Sequence, residues 1–156
     1  MVNEHILNII SVVNYHYPNI SSEKFVFILN NNESGTIVVL GKSNVVFLGD
    51  YKWELEAISN IIKNSIEHLN EYGQLVICYT KVGIYTEIVI EDNGNVINQK
   101  DLKHIFKRFY KGDNSKSNSI GICLSLSKKI IEQDHGQISV KSTIDKGTKF
   151  TIRYMR

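Results

Sequence analysis

The chain has little cysteine, little proline and no long apolar run, and each shortage excludes something. Cys78 and Cys123 are the two cysteines among 156 residues, with no CxxC pair and no Cys/His ligand spacing. A disulfide framework is thereby excluded, a structural zinc is disfavoured, and a reducing, cytoplasmic compartment fits. One proline and ten glycines, beside 42% hydrophobic residues, exclude a linker-rich or disordered chain. Apolar runs such as 37–40 and 45–48 fall far short of the roughly 20 residues a membrane helix needs, and the N-terminus lacks a signal-peptide layout, so a soluble domain without membrane contact is expected. Eighteen basic against 16 acidic residues are too evenly balanced for a footprint on nucleic acid or an anionic membrane. What remains is one domain of 17.8 kDa, large enough to bury about two-thirds of its unfolded surface.

The patterning that is present interleaves strands and helices. Residues 6–13 are apolar and are followed by Tyr15, Tyr17 and Pro18, which reads as one short helix. Residues 24–29 and 36–40 are β-branched or aromatic runs around an Asn- and Gly-containing turn at 30–35, and 45–48 reads as a third short strand. From 53 to 69, Leu55, Ile58, Ile62, Ile66 and Leu69 recur at spacings of three and four, the mark of an amphipathic helix capped by Asp50 and ended by Gly73. Residues 74–80 and 85–90 form a hairpin around Val82-Gly83. A polar, basic stretch follows Asp92-Asn93-Gly94 and reads as a mobile loop. Periodicity resumes over 122–131, with Gly136 placed to stop the helix, and 138–140 and 148–152 close the chain as strands. Short turns between neighbouring strands favour a mixed, mostly antiparallel sheet with helices on one face.

Three features carry chemistry. Asn60 and Asn64 stand one helical turn apart on the flank away from Leu55, Ile58 and Ile62, and an amide carbonyl suits a hard cation shared with phosphate oxygens. Asp92 ends a strand of branched residues, where a carboxylate can accept from an exocyclic amine and Gly94 permits a close turn. The segment 99–116 carries Lys100, Lys103, Lys107, Arg108, Lys111 and Lys116 against Asp101 and Asp113, a local charge suited to a small anion. Each feature alone also reads as an ordinary polar helix face, strand-end turn or solvated loop.

Their order, together with IFKRFYKGD at 105–113 and SIGICLSLSKKI at 119–130, resembles the ATP-binding catalytic domain of two-component sensor histidine kinases over about residues 50–151. The resemblance implies an α+β fold, a two-layer sandwich of the Bergerat type with about three helices. It divides the chain into an N-terminal segment at 1–22 and a catalytic domain at 23–156, with an ATP lid at about 98–120. It implies ATP and Mg²⁺ as cofactors, with Asn60, Asn64, Lys111 and Lys116 in the phosphoryl-transfer machinery and Asn64 on the metal. His68, Asp92, Gly94, Ile97, Phe109, Tyr110, Gly121, Ile122, Leu124 and Thr148 would line the nucleotide, with Asp92 on the adenine amino group and the turn at Gly121 on phosphate oxygens. Phe106 and Phe109 would serve as anchors, and could be core residues under the lid. The Walker pattern GxxxxGK[ST] is absent, and where the related gyrase and mismatch-repair ATPases have a glutamate base this helix has Asn60, which favours transfer to a protein over hydrolysis.

None of the five histidines lies in the family's phosphoacceptor pattern. The expected partners are therefore a histidine-bearing dimerisation domain elsewhere in a membrane-anchored kinase, and a downstream response regulator. His135-Gly136 reads as a helix end and Cys78 as packing. The chain departs from the family at Val96, Ser119 and Cys123, where glycines are usual, and at Glu67, where a lysine is common. Those departures motivate an alternative, a nucleotide-binding or docking module of the same fold without phosphoryl transfer. An anti-sigma-factor serine kinase of the same superfamily is a third reading, disfavoured by the 105–113 segment.

Overall fold

The computed structural model describes residues 4–7, 24–29, 33–41, 45, 47–70, 72–111 and 123–155. Strands β1 (Glu4–Leu7) and β4 (Phe47–Asp50) form a short antiparallel ribbon. The main sheet has the order β2-β3-β5-β6-β8-β7, from β2 (Lys24–Leu29), β3 (Glu33–Gly41), β5 (Gln74–Val82), β6 (Tyr85–Asp92), β7 (Gly136–Thr143) and β8 (Gly147–Met155). Its one parallel pair is β3 with β5; the other pairs are antiparallel. The helices among the described residues are α1 (Tyr51–Glu67), α2 (Gln99–Leu102) and α3 (Cys123–Gln133).

Alternation in the central strands sends Leu75, Ile77, Tyr79, Ile88, Ile90, Phe150, Ile152 and Tyr154 to one face. There they meet Ala57, Ile58, Ile61 and Ile62 of α1 and Ile130 and Ile131 of α3 in a single core. Each fully buried aliphatic side chain stabilises the fold by about 1.5–3 kcal/mol. Ser127 Oγ donates to the Ala57 carbonyl at 2.9 Å and ties α3 to α1. Cys78 lies on the opposite, partly open face of β5.

The two-layer α+β architecture is as expected, and several boundaries move. The described part of the N-terminal stretch, Glu4–Leu7, is strand rather than helix, because pairing with β4 satisfies its backbone; residues 8–23 lie outside the described set. The third strand runs over Phe47–Asp50, later than its apolar run, and its last residue caps α1: Asp50 Oδ1 accepts from the N–H groups of Lys52 at 3.0 Å and Trp53 at 3.2 Å. Neither Gly73 nor Gly136 is the left-handed residue at its helix-to-strand junction. Tyr72 (φ 59°) and His135 (φ 59°) take that conformation instead. The basic stretch expected to be a mobile loop contains α2 and a chain of turns: His104 N–H bonds Asp101 O at 2.8 Å, and Lys107 N–H bonds His104 O at 2.8 Å.

Candidate functional site

The site is assembled where β6 ends and β8 begins, beside the C-terminus of α1. Asp92, the last residue of β6, is 2% exposed and pairs in register with Thr148 of β8. Its Oδ1 accepts the Gly94 N–H at 3.0 Å. Burial pushes the Asp92 carboxyl up to about 6, against the pull of the Gly94 and Thr148 backbone N–H groups and the Ser65 hydroxyl, while Glu91 adds to the rise. Ser65 Oγ, on α1, is buried without a partner in hydrogen-bonding geometry, yet lies close enough to Asp92 to draw its pKa down.

The turn after Asp92 is clamped to the helix end. Asn95 N–H donates to the His68 carbonyl at 2.8 Å, and a Cβ on Gly94 would stand 2.1 Å from that oxygen. His68 caps α1, and burial holds its imidazole below the usual value, with Glu67 opposing. It therefore presents a neutral ring at pH 7. Thr148, 3% exposed, has its hydroxyl 2.9 Å from Ser142 Oγ. Ser142 Oγ also accepts the Ile97 N–H at 2.8 Å, and Ser142 O accepts from Gln99 Nε2 at 3.0 Å, so the β7–β8 hairpin holds the loop after β6.

Asn64 directly precedes Ser65 and is half-buried on the flank of α1; Asn60, one turn earlier, is 8% exposed. Asn60 Nδ2 donates to Glu56 Oε1 at 3.0 Å. The helix thus carries a carboxylate one turn before Asn60, where it holds an amide. Asn60, Asn64 and His68 follow one another at four-residue spacing along α1, and the His68 carbonyl meets the turn after Asp92.

The aromatic-basic segment divides in two. Phe106 packs against the core, its ring edge-on to Phe150 at 6.4 Å, with Lys128 Nζ 5.5 Å from its centroid. Phe109 is not core: it is 60% exposed at φ 63°, a conformation that turns its ring outward against the Arg108 guanidinium, 5.3 Å away. Tyr110 OH donates to Asp101 Oδ1, Lys111 is exposed, and Leu124 is half-buried against the core. Lys116, Gly121 and Ile122 lie outside the described residues. Sequence reasoning missed Ser65, Glu56 and Ser142. Ser142 was findable, since it stands opposite Thr148 at equal distance from the hairpin tip at Asp145.

Among the described residues, no group of three His, Cys, Asp or Glu side chains is placed to hold a metal ion, so a divalent cation at Asn64 would need ligand oxygens to complete its shell. No described helix is long and apolar enough to cross a membrane. A buried strand-end carboxylate, a neutral imidazole and a pair of amides on one helix flank stand together at one end of a two-layer α+β domain.

The comparisons agree with that class. The family model described as histidine kinase-, DNA gyrase B- and HSP90-like ATPase matches residues 49–156, and the chain belongs to this family of ATP-binding domains. Sensor histidine kinase YclK of Bacillus subtilis is 34% identical over 121 residues, covering 75% of this chain and 25% of the relative. Heme sensor protein HssS of Staphylococcus haemolyticus is 36% identical over 110 residues, covering 69% and 24%. The chain thus spans about a quarter of the length of these curated relatives. The fold matches the mycobacterial sensor histidine kinase MprB at TM-score 0.74 and 17% identity, covering 97% of each chain. It matches full-length ShkA in complex with AMPPNP at TM-score 0.76 and 13% identity, covering 99% of this chain and 31% of that one.

Proposed function

We propose that this domain binds Mg-ATP and directs its γ-phosphoryl group to a histidine on a separate helical dimerisation domain of a sensor kinase, which passes it to a response regulator. The observation that carries the reading is the joining of the buried Asp92 carboxylate to the helix that bears Asn64, through Ser65, His68 and Gly94. The residues fit the ligand: Gly94 lies against the helix end too closely for any side chain, and Asp92 retains acceptor capacity beyond the Gly94 bond.

Bound Mg-ATP would supply the transferable phosphoryl group and the charge that neutralises its oxygens. Asp92 accepts the adenine amino group, held in place by Gly94 and Thr148. His68 lies against the base as a neutral ring. Asn64 offers its carbonyl to the metal, and Glu56 orients Asn60 by taking one of its amide protons. Lys111 and Lys116 bring positive charge to the terminal phosphate. The intact ridge of Asn60 and Asn64 favours transfer over the docking-module reading. On this reading the domain works in the cytoplasm, as part of a membrane-anchored receptor.

Calorimetry with a non-hydrolysable ATP analogue and Mg²⁺ tests the site. Asn64→Ala and Asp92→Ala are each expected to weaken binding roughly tenfold to a hundredfold, the size of a lost hydrogen bond to a charged group. Unchanged affinity in both variants would refute the assignment. A second expectation follows from protonation. A neutral Asp92 carboxyl loses acceptor strength, so affinity should fall as pH drops below about 6, and Asp92→Asn should remove that dependence. A wild-type profile flat from pH 7 to pH 5 would contradict the role.

A further inference from the structure

Ser142 of β7 stands directly opposite Thr148 of β8, and Thr148 stands directly opposite Asp92 of β6. All three side chains are buried, at 5%, 3% and 2% exposed. Strand register therefore lays a serine, a threonine and a carboxylate in one row across the end of the sheet that forms the site.

The hydrogen bonds of this row fix where its protons point. A hydroxyl has one proton to give and two lone pairs with which to receive. Ser142 Oγ has three neighbours: the Ile97 N–H at 2.8 Å, which can only donate to it, the Gly147 carbonyl at 3.3 Å, which can only accept, and Thr148 Oγ1 at 2.9 Å, which can do either. If Ser142 gave its proton to Thr148, the Gly147 carbonyl would lose this bond and the Thr148 proton would have no partner among the described residues. Leaving a buried polar group unpaired costs about 1–3 kcal/mol. The opposite direction satisfies every group: Thr148 donates to Ser142, and Ser142 donates to Gly147.

The consequence falls on Thr148. With its proton turned toward Ser142, it offers only lone pairs beside Asp92, which is itself an acceptor. The Gly94 N–H is already spent on Asp92, and Ser65, 0% exposed, keeps its hydroxyl out of a ligand's reach. We propose that Ser142 is a specificity-determining residue: by taking the Thr148 proton it turns the base end of the cleft into a surface of acceptors, which admits a 6-amino purine and rejects a 6-oxo one. An exocyclic amine brings two N–H groups to such a surface, whereas an oxo group sets lone pairs against lone pairs. The inference rests on the reading of the cleft given above. Ser142 acts through Thr148 and needs no contact with the base.

Calorimetry of this chain with Mg²⁺ and either ATP or ITP, which carries an oxo group in place of the amine, reads the effect as a ratio of dissociation constants. The parent should bind ITP roughly a hundredfold more weakly than ATP, the equivalent of two lost hydrogen bonds. Ser142→Ala also unties the Ile97 N–H, so both nucleotides should weaken; the freed Thr148 proton can then meet the oxo group, and the ratio should shrink about tenfold. A serine with a merely structural role would weaken both alike. Ser142→Thr keeps the hydroxyl and should hold the ratio within about threefold of the parent's. Should Ser142→Ala fail to fold, Ser142→Cys, close in size and a poor acceptor, should shrink the ratio in the same sense. An unmoved ratio in the folded Ala or Cys variant, or a parent that takes ITP as readily as ATP, would overturn the role of Ser142 and leave the cleft assignment standing. A parent that binds neither nucleotide would sink both.

Discussion

Gly147→Ala is expected to destabilise the domain by roughly 3–5 kcal/mol, the upper end of the range for single substitutions, and to abolish nucleotide binding. Gly147 adopts φ 99°, a conformation that L side chains rarely take. A Cβ there would lie 1.9 Å from the Asp92 carbonyl oxygen and 2.8 Å from Asn93 Cα. These are backbone atoms of the adjoining strand, so relief requires parting β6 from β8 at the point where Asp92 faces Thr148. Gly83 is the internal control. It too has positive φ, 57°, but its Cβ would meet nothing within 4 Å. Gly83→Ala should therefore cost only about 1 kcal/mol, the penalty of the left-handed backbone itself. Urea unfolding of both variants decides the matter, and equal losses would show that the contact with Asp92 is not what fixes Gly147.

How much of this was legible in the sequence depends on the scale of the interaction. The amphipathic helix, its Asp50 cap and the β5–β6 hairpin come from periodicities and turn residues within a few positions of one another, and the structure keeps them. The boundary of β4 was missed because Gly49 and Asp50 have low strand propensity; pairing with β1, more than forty residues away, overrides it. The two helix ends were misjudged in the same way. Glycine is the expected left-handed residue, but Gly136 is needed for close packing, where a Cβ would meet Ile131 Cγ2 at 2.7 Å, and the left-handed turn falls to His135.

In the site, the residues that would touch the ligand were visible as motifs, whereas those that hold them were not. Asp92 and Asn64 each stand in a recognisable local pattern. Ser65 and Ser142 are serines with no pattern of their own, and they matter only because strand register and helix packing bring them to Asp92 and Thr148. Glu56 was passed over because no motif singles it out on the helix that carries Asn60 and Asn64. Its carboxylate accepts from the Asn60 amide at 3.0 Å, a contact between two positions one helical turn apart.

Raising the pH from 5.5 to 8 is expected to cost the domain about 3 kcal/mol of stability, through one buried acid in the first turn of α1, at the opposite end of that helix from His68. Glu54 is fully buried, with its Oε2 2.5 Å from the Tyr154 hydroxyl, and Tyr154 stacks on Phe47 at 4.2 Å. Burial pushes the Glu54 carboxyl up to about 8; Tyr154 opposes the rise, while Asp134 and Asp50 add to it. Asp134 Oδ2 in turn accepts the Asp50 N–H at 3.0 Å, so the acids face one another under the β1–β4 ribbon. The folded pKa lies above the unfolded value near 4.5, and the native state therefore binds the extra proton. Its contribution is complete below about 4.5 and drains away as pH climbs through 8, so stability falls with rising pH in that window. Asp92 has the same sign but its contribution is spent by about pH 6. Glu54→Gln keeps an acceptor for Tyr154 and cannot ionise, so its unfolding free energy should be nearly flat from pH 6 to 8. Urea midpoints at both pH values separate the cases: parallel profiles for the two proteins would show that Glu54 is not the titrating group.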